Sequence, residues 1–224
     1  MNFIQHRVTY SIIIINVFVY VLSALASSSF IDMNAEVLVE MGALYGPLTV
    51  VGAEWWRLFT AMFLHGGITH LLMNMFSLYL IGRGVEQYFD TKSYLGIYLF
   101  SGFLGSLASL YMHPDSVGVG ASGAIFGIFG GLAGFFIAHR ERIEAHTKAF
   151  MKDFAIIIGI NLVIGFSIPS VDVSAHVGGL IAGFIGGYII SKNPKWIWSY
   201  SAVMILLMVA IMSYLPSQYA QTFF

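Results

Sequence analysis

Cysteine is absent from the 224 residues, which excludes disulfides, thiolate nucleophiles and cysteine-ligated metals. Charge is scarce as well. Asp, Glu, Lys and Arg together make up 9% of the chain, where a water-soluble domain carries roughly a quarter, so too little polar surface is available to cover a globule in water. Neither sign is in excess: 10 Lys and Arg stand against 11 Asp and Glu, for a formal charge of -1. A nucleic-acid partner would call for a basic surplus, so no nucleic acid is expected. Low-complexity tracts and internal repeats are missing too. No His-Glu-x-x-His sequence occurs and the histidines lack a matching pair of carboxylates, which disfavours a zinc protease and leaves no metal site in view.

What the chain has instead is apolar length. Hydrophobic residues reach 58% and the mean hydropathy is +0.82. Seven stretches are long enough to cross a bilayer, at about 11–27, 67–86, 93–112, 120–138, 154–171, 173–191 and 197–215. The expected fold is an all-α polytopic membrane protein, a single helical bundle over 1–224 embedded in the lipid bilayer. All five prolines are expected in or beside connections, where a missing N–H does least harm. An N-terminus placed in the cytoplasm puts nine of the ten basic residues there and leaves only Arg57 outside. Seven spans then carry the C-terminus outside, in what is expected to be the inner cell membrane. Arg7, the apolar run and Ala24-Leu25-Ala26 resemble a secretory signal, but the run is long for one and more spans follow, so it reads as an uncleaved first helix. The first loop, about 28–57, is expected to fold onto the membrane surface, with Trp55 and Trp56 anchored at headgroup level.

Polar side chains inside a bilayer are costly and need a partner or a function. The candidates are His65, His70, Asn74, Ser122, Asn161 and His176. In the expected orientation His70 and Asn74 open span 2, Ser122 opens span 4 and His176 opens span 6, so these four share one depth near the outer face. A span 4 helical from Ser122 to Ala138 covers about 25 Å against a hydrocarbon core of about 30 Å. The serine is then submerged, and the irregular backbone before it must be buried or line a wet cavity. Gly123, Gly127 and Gly131 on span 4 match Gly179, Gly183 and Gly187 on span 6; such rows let membrane helices pack backbone to backbone. That contact brings Ser122 and His176 within reach of each other, a hydroxyl beside a base. His70 and Asn74, four apart on one helix face, can aim at the same point as the Ser122 amide, a set of oxyanion donors. Packing alone also accounts for most membrane serines; the shared depth of nucleophile, base and donors is what separates Ser122 from the others.

These residues resemble the rhomboid family of intramembrane serine proteases. The likeness rests on Gly120-Ala121-Ser122-Gly123, on Ala175-His176 followed by Gly179 and Gly183, on His65, His70 and Asn74, on Trp56-Arg57, and on Gly82 to Glu86, spread over about 55–190. The resemblance implies a six-helix core, about 11–191, plus one extra C-terminal helix, about 197–215. It implies a Ser122 nucleophile with His176 as general base and later acid, and an oxyanion held by His70, Asn74 and the Ser122 amide. Transmembrane protein substrates cut near the outer membrane boundary are implied as well, and neither metal nor organic cofactor. Span 5, with the loop after it around Ser167 to Val173, would by the same resemblance serve as gate and cap. Phe126 stands where many rhomboids have a tyrosine stacked on the catalytic histidine, so the ring is kept and the hydroxyl lost. Asp172 reads as an ordinary loop charge, Asn161 as an interhelical hydrogen-bonding residue, and His139 and His146 as solvated. Arg57 is expected to tie down the first loop and Glu86 the cytoplasmic end of span 2.

The main alternative is an inactive rhomboid-like protein that binds membrane clients. A transporter would show broken helices or inverted repeats near the midplane, and none is evident. Ala124 breaks the G-x-S-x-G pattern of a soluble α/β hydrolase.

Overall fold

Helix α1, Arg7–Ser27, starts four residues before the apolar stretch does. The reason lies in Glu86, whose carboxylate accepts from the Val8 N–H (2.8 Å), the Thr9 N–H (3.1 Å) and the Thr9 hydroxyl (2.6 Å). These are first-turn donors with no partner inside the helix, at its positive end. The structure, a computed structural model, describes residues 6–141, 156, 158–160, 165, 167 and 171–223. After α1 come a short α2, Ala35–Glu40, strand β1, Leu44–Tyr45, and α3, Arg57–Thr60. Then follow α4, Ile68–Val85, α5, Thr91–Met112, strand β2, Val117–Gly118, α6, Ser122–Ala138, α7, Val173–Lys192, and α8, Ile197–Phe223.

The protein is a multi-pass membrane protein. Among the described residues α1, α5, α7 and the Pro194–Gln221 stretch containing α8 are long and apolar enough to cross a membrane, and α6 is a shorter apolar helix of 17 residues. Large apolar side chains such as Phe18 and Leu25 on α1 and Trp198 and Leu206 on α8 are exposed. A surface of this kind calls for lipid rather than water.

Helices α6 and α7 form the centre of the bundle, and they touch through backbone. A Cβ placed on Gly179, Gly183 or Gly187 would run into the carbonyl oxygen of Gly123, Gly127 or Gly131 in turn. Small residues in register therefore set how close the two helices come. Helix α5 packs on both, with Tyr94, Ile97 and Tyr98 fully buried. Helix α8 braces the bundle at two heights: the Tyr200 hydroxyl donates to the Ala182 carbonyl (3.2 Å) and the Tyr219 hydroxyl to the Leu110 carbonyl (2.7 Å).

The first loop holds the approaches to two helices. Its β1 pairs antiparallel with β2, Leu44 with Gly118 and Tyr45 with Val117, just ahead of α6. Ile31 and Met33 bond to Ile68 and Gly66 at 2.9 Å, just ahead of α4. Arg57, 5% exposed, ties this loop down: its guanidinium donates to Glu54 (2.7 Å) and to the Val39 and Ala43 carbonyls (2.6 and 3.0 Å) and lies over the Trp56 ring.

Two expectations need correction. Pro216 lies inside α8, not beside a connection. It follows the apolar stretch by one residue, and the carbonyl it cannot bond is that of Met212, four residues back. His139 is half-buried, stacked on Phe135 at 4.6 Å with Nδ1 2.9 Å from the Phe135 carbonyl oxygen, because it closes the end of α6. Most of predicted span 5, with Asn161, much of the loop from Ser167, and His146 lie outside the described residues.

Candidate active site

Ser122 is the first residue of α6, so its amide belongs to the turn whose N–H groups lack carbonyl partners within the helix. The backbone just ahead of it is shaped by Gly120. That residue has φ +125° and donates its N–H to the Ala61 carbonyl at 2.9 Å. A Cβ there would stand 2.7 Å from His70 Nε2 and 3.5 Å from Asn74 Nδ2. Glycine is required twice, by conformation and by space. Its bareness lets two side chains of α4 close on the backbone two residues before the serine.

Asn74 is 7% exposed, and its amide nitrogen is buried without a hydrogen-bond acceptor. Such a group costs about 1–3 kcal/mol and calls for an explanation. An amide donor kept free suits an acceptor that arrives with substrate. His70 lies on the same face, one turn earlier, with the fully buried His65 edge-on to it at 5.0 Å between ring centroids.

His176 comes from the first turn of α7. Its ring lies flat on Phe126, one turn past Ser122, with centroids 4.3 Å apart and planes 12° from parallel. Ring stacking here needs only the phenyl face, so the absent tyrosine hydroxyl changes nothing in the packing. His176 Nδ1 is buried without a partner. Below it the Ala175 carbonyl oxygen would stand 3.3 Å from a Cβ on Gly123, so the backbone just before the histidine packs against the residue after the serine. Gly179 and Gly183 belong to the backbone contact with α6 rather than to the site. No hydrogen bond joins Ser122 to His176 among the described residues. Ser122 is half-buried and His176 buried.

Asp172 departs from the reading as a loop charge. It caps α7, its carboxylate accepting from the Ala175 N–H at 3.1 Å and from the Ser174 hydroxyl, and His113 at the end of α5 lies 3.7 Å away. Burial alone would raise this carboxyl, but Ser109, Ser174, the Ala175 amide and His113 hold it below the ordinary carboxylate range. It does not touch the His176 ring. The signal was in the sequence: an aspartate directly before an apolar helix is a preferred N-cap. Ser109 and His113 carried no such signal, since only tertiary contact brings them to it. Arg57 and Glu86 hold the first loop and α1, as described, and neither contacts Ser122 or His176. Among the described residues no group of three His, Asp or Glu could hold a metal.

The chain as a whole is similar to known proteins. A family model described as Rhomboid domain matches residues 52–193. The chain belongs to the rhomboid family. "RHOMBOID-like protein 6, mitochondrial" of Arabidopsis thaliana is 40% identical over 174 residues, 78% of this chain and 56% of that protein. "Rhomboid protease GluP" of Bacillus subtilis (strain 168) is 36% identical over 178 residues, 80% of this chain and 34% of that one. "Rhomboid-like protease 3" of Toxoplasma gondii is 31% identical over 190 residues, 83% of this chain and 71% of that one. The chain thus spans about half, or less, of the length of the first two relatives. Its rhomboid segment takes in α3 to α7, the helices that carry Ser122, His176, His70 and Asn74.

Proposed function

We propose that this rhomboid is an intramembrane serine endopeptidase that hydrolyses peptide bonds of transmembrane substrates near the outer membrane boundary, with Ser122 as nucleophile and His176 as base. The observation that carries the reading is the convergence on one helix start: α4 sets a free amide donor and an imidazole against Gly120, and α7 sets His176 against Phe126.

In this reading His176 takes the Ser122 proton as the oxygen attacks the substrate carbonyl carbon. The negative charge on the tetrahedral oxygen is held by the Ser122 N–H at the helix start and by His70 and Asn74. The imidazolium then gives its proton to the departing amine, leaving an acyl-serine. A water molecule, deprotonated by His176, attacks that ester and restores the hydroxyl. Each step moves a proton between groups of this chain, substrate and water, so no metal or organic cofactor is called for.

The absence of a Ser122 to His176 hydrogen bond is the observation on the side of an inactive, client-binding rhomboid. It weighs little, because catalytic hydrogen bonds in substrate-free enzymes are often long and close only in the complex. Labelling with a serine-directed fluorophosphonate discriminates the two. The active reading requires labelling of the wild type and none of Ser122→Ala; a wild type that never labels under conditions where it stays folded supports the client-binding reading. The proposed setting is the inner cell membrane, N-terminus cytoplasmic and C-terminus outside, from the basic residues.

A further inference from the structure

We propose that Asp172 is a positioning residue for His176, fixing the first turn of α7 against the end of α5 so that the imidazole is held one turn further on. The inference rests on the reading of His176 as general base.

Where a hydroxyl nucleophile works with a histidine, a third group commonly grips the far side of the ring and fixes its orientation. Here the ring has no such grip: His176 Nδ1 is buried without a partner and Phe126 supplies only a flat face. The ring's position is therefore inherited from the backbone that carries it. That backbone is the first helical turn, and Asp172 bonds to it through both of its halves. The Asp172 carbonyl oxygen accepts from the His176 N–H at 3.4 Å, and the carboxylate accepts from the Ala175 N–H at 3.1 Å and from the Ser174 hydroxyl.

The same carboxylate faces α5, where His113 Nε2 lies 3.7 Å away. Beneath these contacts the two helices meet closely. A Cβ on Gly105 of α5 would stand 2.7 Å from the Ala175 carbonyl oxygen, and one on Gly178 of α7 would stand 3.1 Å from the Leu104 carbonyl oxygen. Close glycine contact sets the distance between helices but is poor at selecting rotation, since a bare surface offers no knob. Directional bonds at the helix start supply that selection. A carboxylate working through the helix thus takes the place of one working on the ring, as outer-sphere partners do for metal-bound imidazoles.

The test compares wild type, Asp172→Ala, Asp172→Asn, Asp172→Ser and Ser122→Ala in proteoliposomes holding a membrane-spanning test substrate, with thermal unfolding of each protein in detergent. Asp172→Ala is expected to lower kcat about tenfold or more while KM stays within about twofold, the mark of a group felt in the chemical step rather than in binding. Asn and Ser keep a capping oxygen and are expected to recover most of the lost kcat. An unchanged kcat in Asp172→Ala overturns the inference. So does a loss that neither Asn nor Ser repairs, or one that disappears when kcat is scaled to the folded fraction. Cleavage that survives Ser122→Ala overturns the reading of the site itself. Cleavage lost in Ser122→Ala but kept in Asp172→Ala overturns the positioning role alone.

Discussion

At Asn74 a buried amide nitrogen faces Gly120 with nothing to bond. As an oxyanion donor it should contribute mostly in the transition state, so Asn74→Ala is expected to lower kcat by about 10²-fold, the usual cost of one such donor, with the protein folded and Ser122 still present. An unchanged kcat for substrate cleavage would remove Asn74 from that role. Asp172 gives a second, pH-dependent expectation. Its folded value lies below the ordinary one, so its stabilising effect is fully present above about pH 4 and fades as the pH drops through the depressed folded value. Unfolding midpoints of wild type and Asp172→Asn, measured from neutral pH downward, should differ at neutrality and draw together in acid; a gap constant with pH speaks against the depressed carboxyl. That Ser122, His176, His70 and Asn74 lie in the first turns of three helices was legible in the sequence, because polar side chains stand out in apolar helices; the catalytic roles given to them are proposals. Asp172 was read as a loop charge although its place directly before an apolar helix signals a cap, and His113 was passed over because it meets Asp172 only where the end of α5 reaches the start of α7, a contact between residues far apart in the chain.

Among the elements, the pairing of α6 with α7 could be read from glycine spacing alone, since a four-residue row on each helix leaves a groove only another such row fills. The structure seats the two rows carbonyl against hydrogen. Gly183→Ala is therefore expected to destabilise the protein by about 1–3 kcal/mol through overpacking. Gly84, at the end of α4, has nothing within 4 Å of a Cβ, and Gly84→Ala should be neutral or slightly stabilising, as removing a helical glycine generally is. Thermal unfolding of both variants in detergent checks the pair, and equal midpoints would contradict the glycine interface. Helix ends were less legible. The early start of α1 is the work of Glu86, 77 residues from Thr9, and α8 runs on through Pro216 without ending there.

For the whole molecule, His70, Asn74, Ser122 and His176 lie toward one end, near the starts of α4, α6 and α7, and the pairing of β1 with β2 holds the first loop just ahead of α6. The basic residues argue that this end faces outward. The lack of native cysteine makes a direct check simple, with Asp115→Cys expected to label from outside intact cells and Arg140→Cys only after permeabilisation; the reverse pattern would invert the topology. The central claim is that Ser122 and His176 cut peptide bonds in membrane-spanning substrates. It is tested most directly by reconstituting purified wild type, Ser122→Ala and His176→Ala with such a substrate and following the released fragment. Cleavage by the wild type and by neither variant is the predicted result; equal cleavage by all three would contradict it.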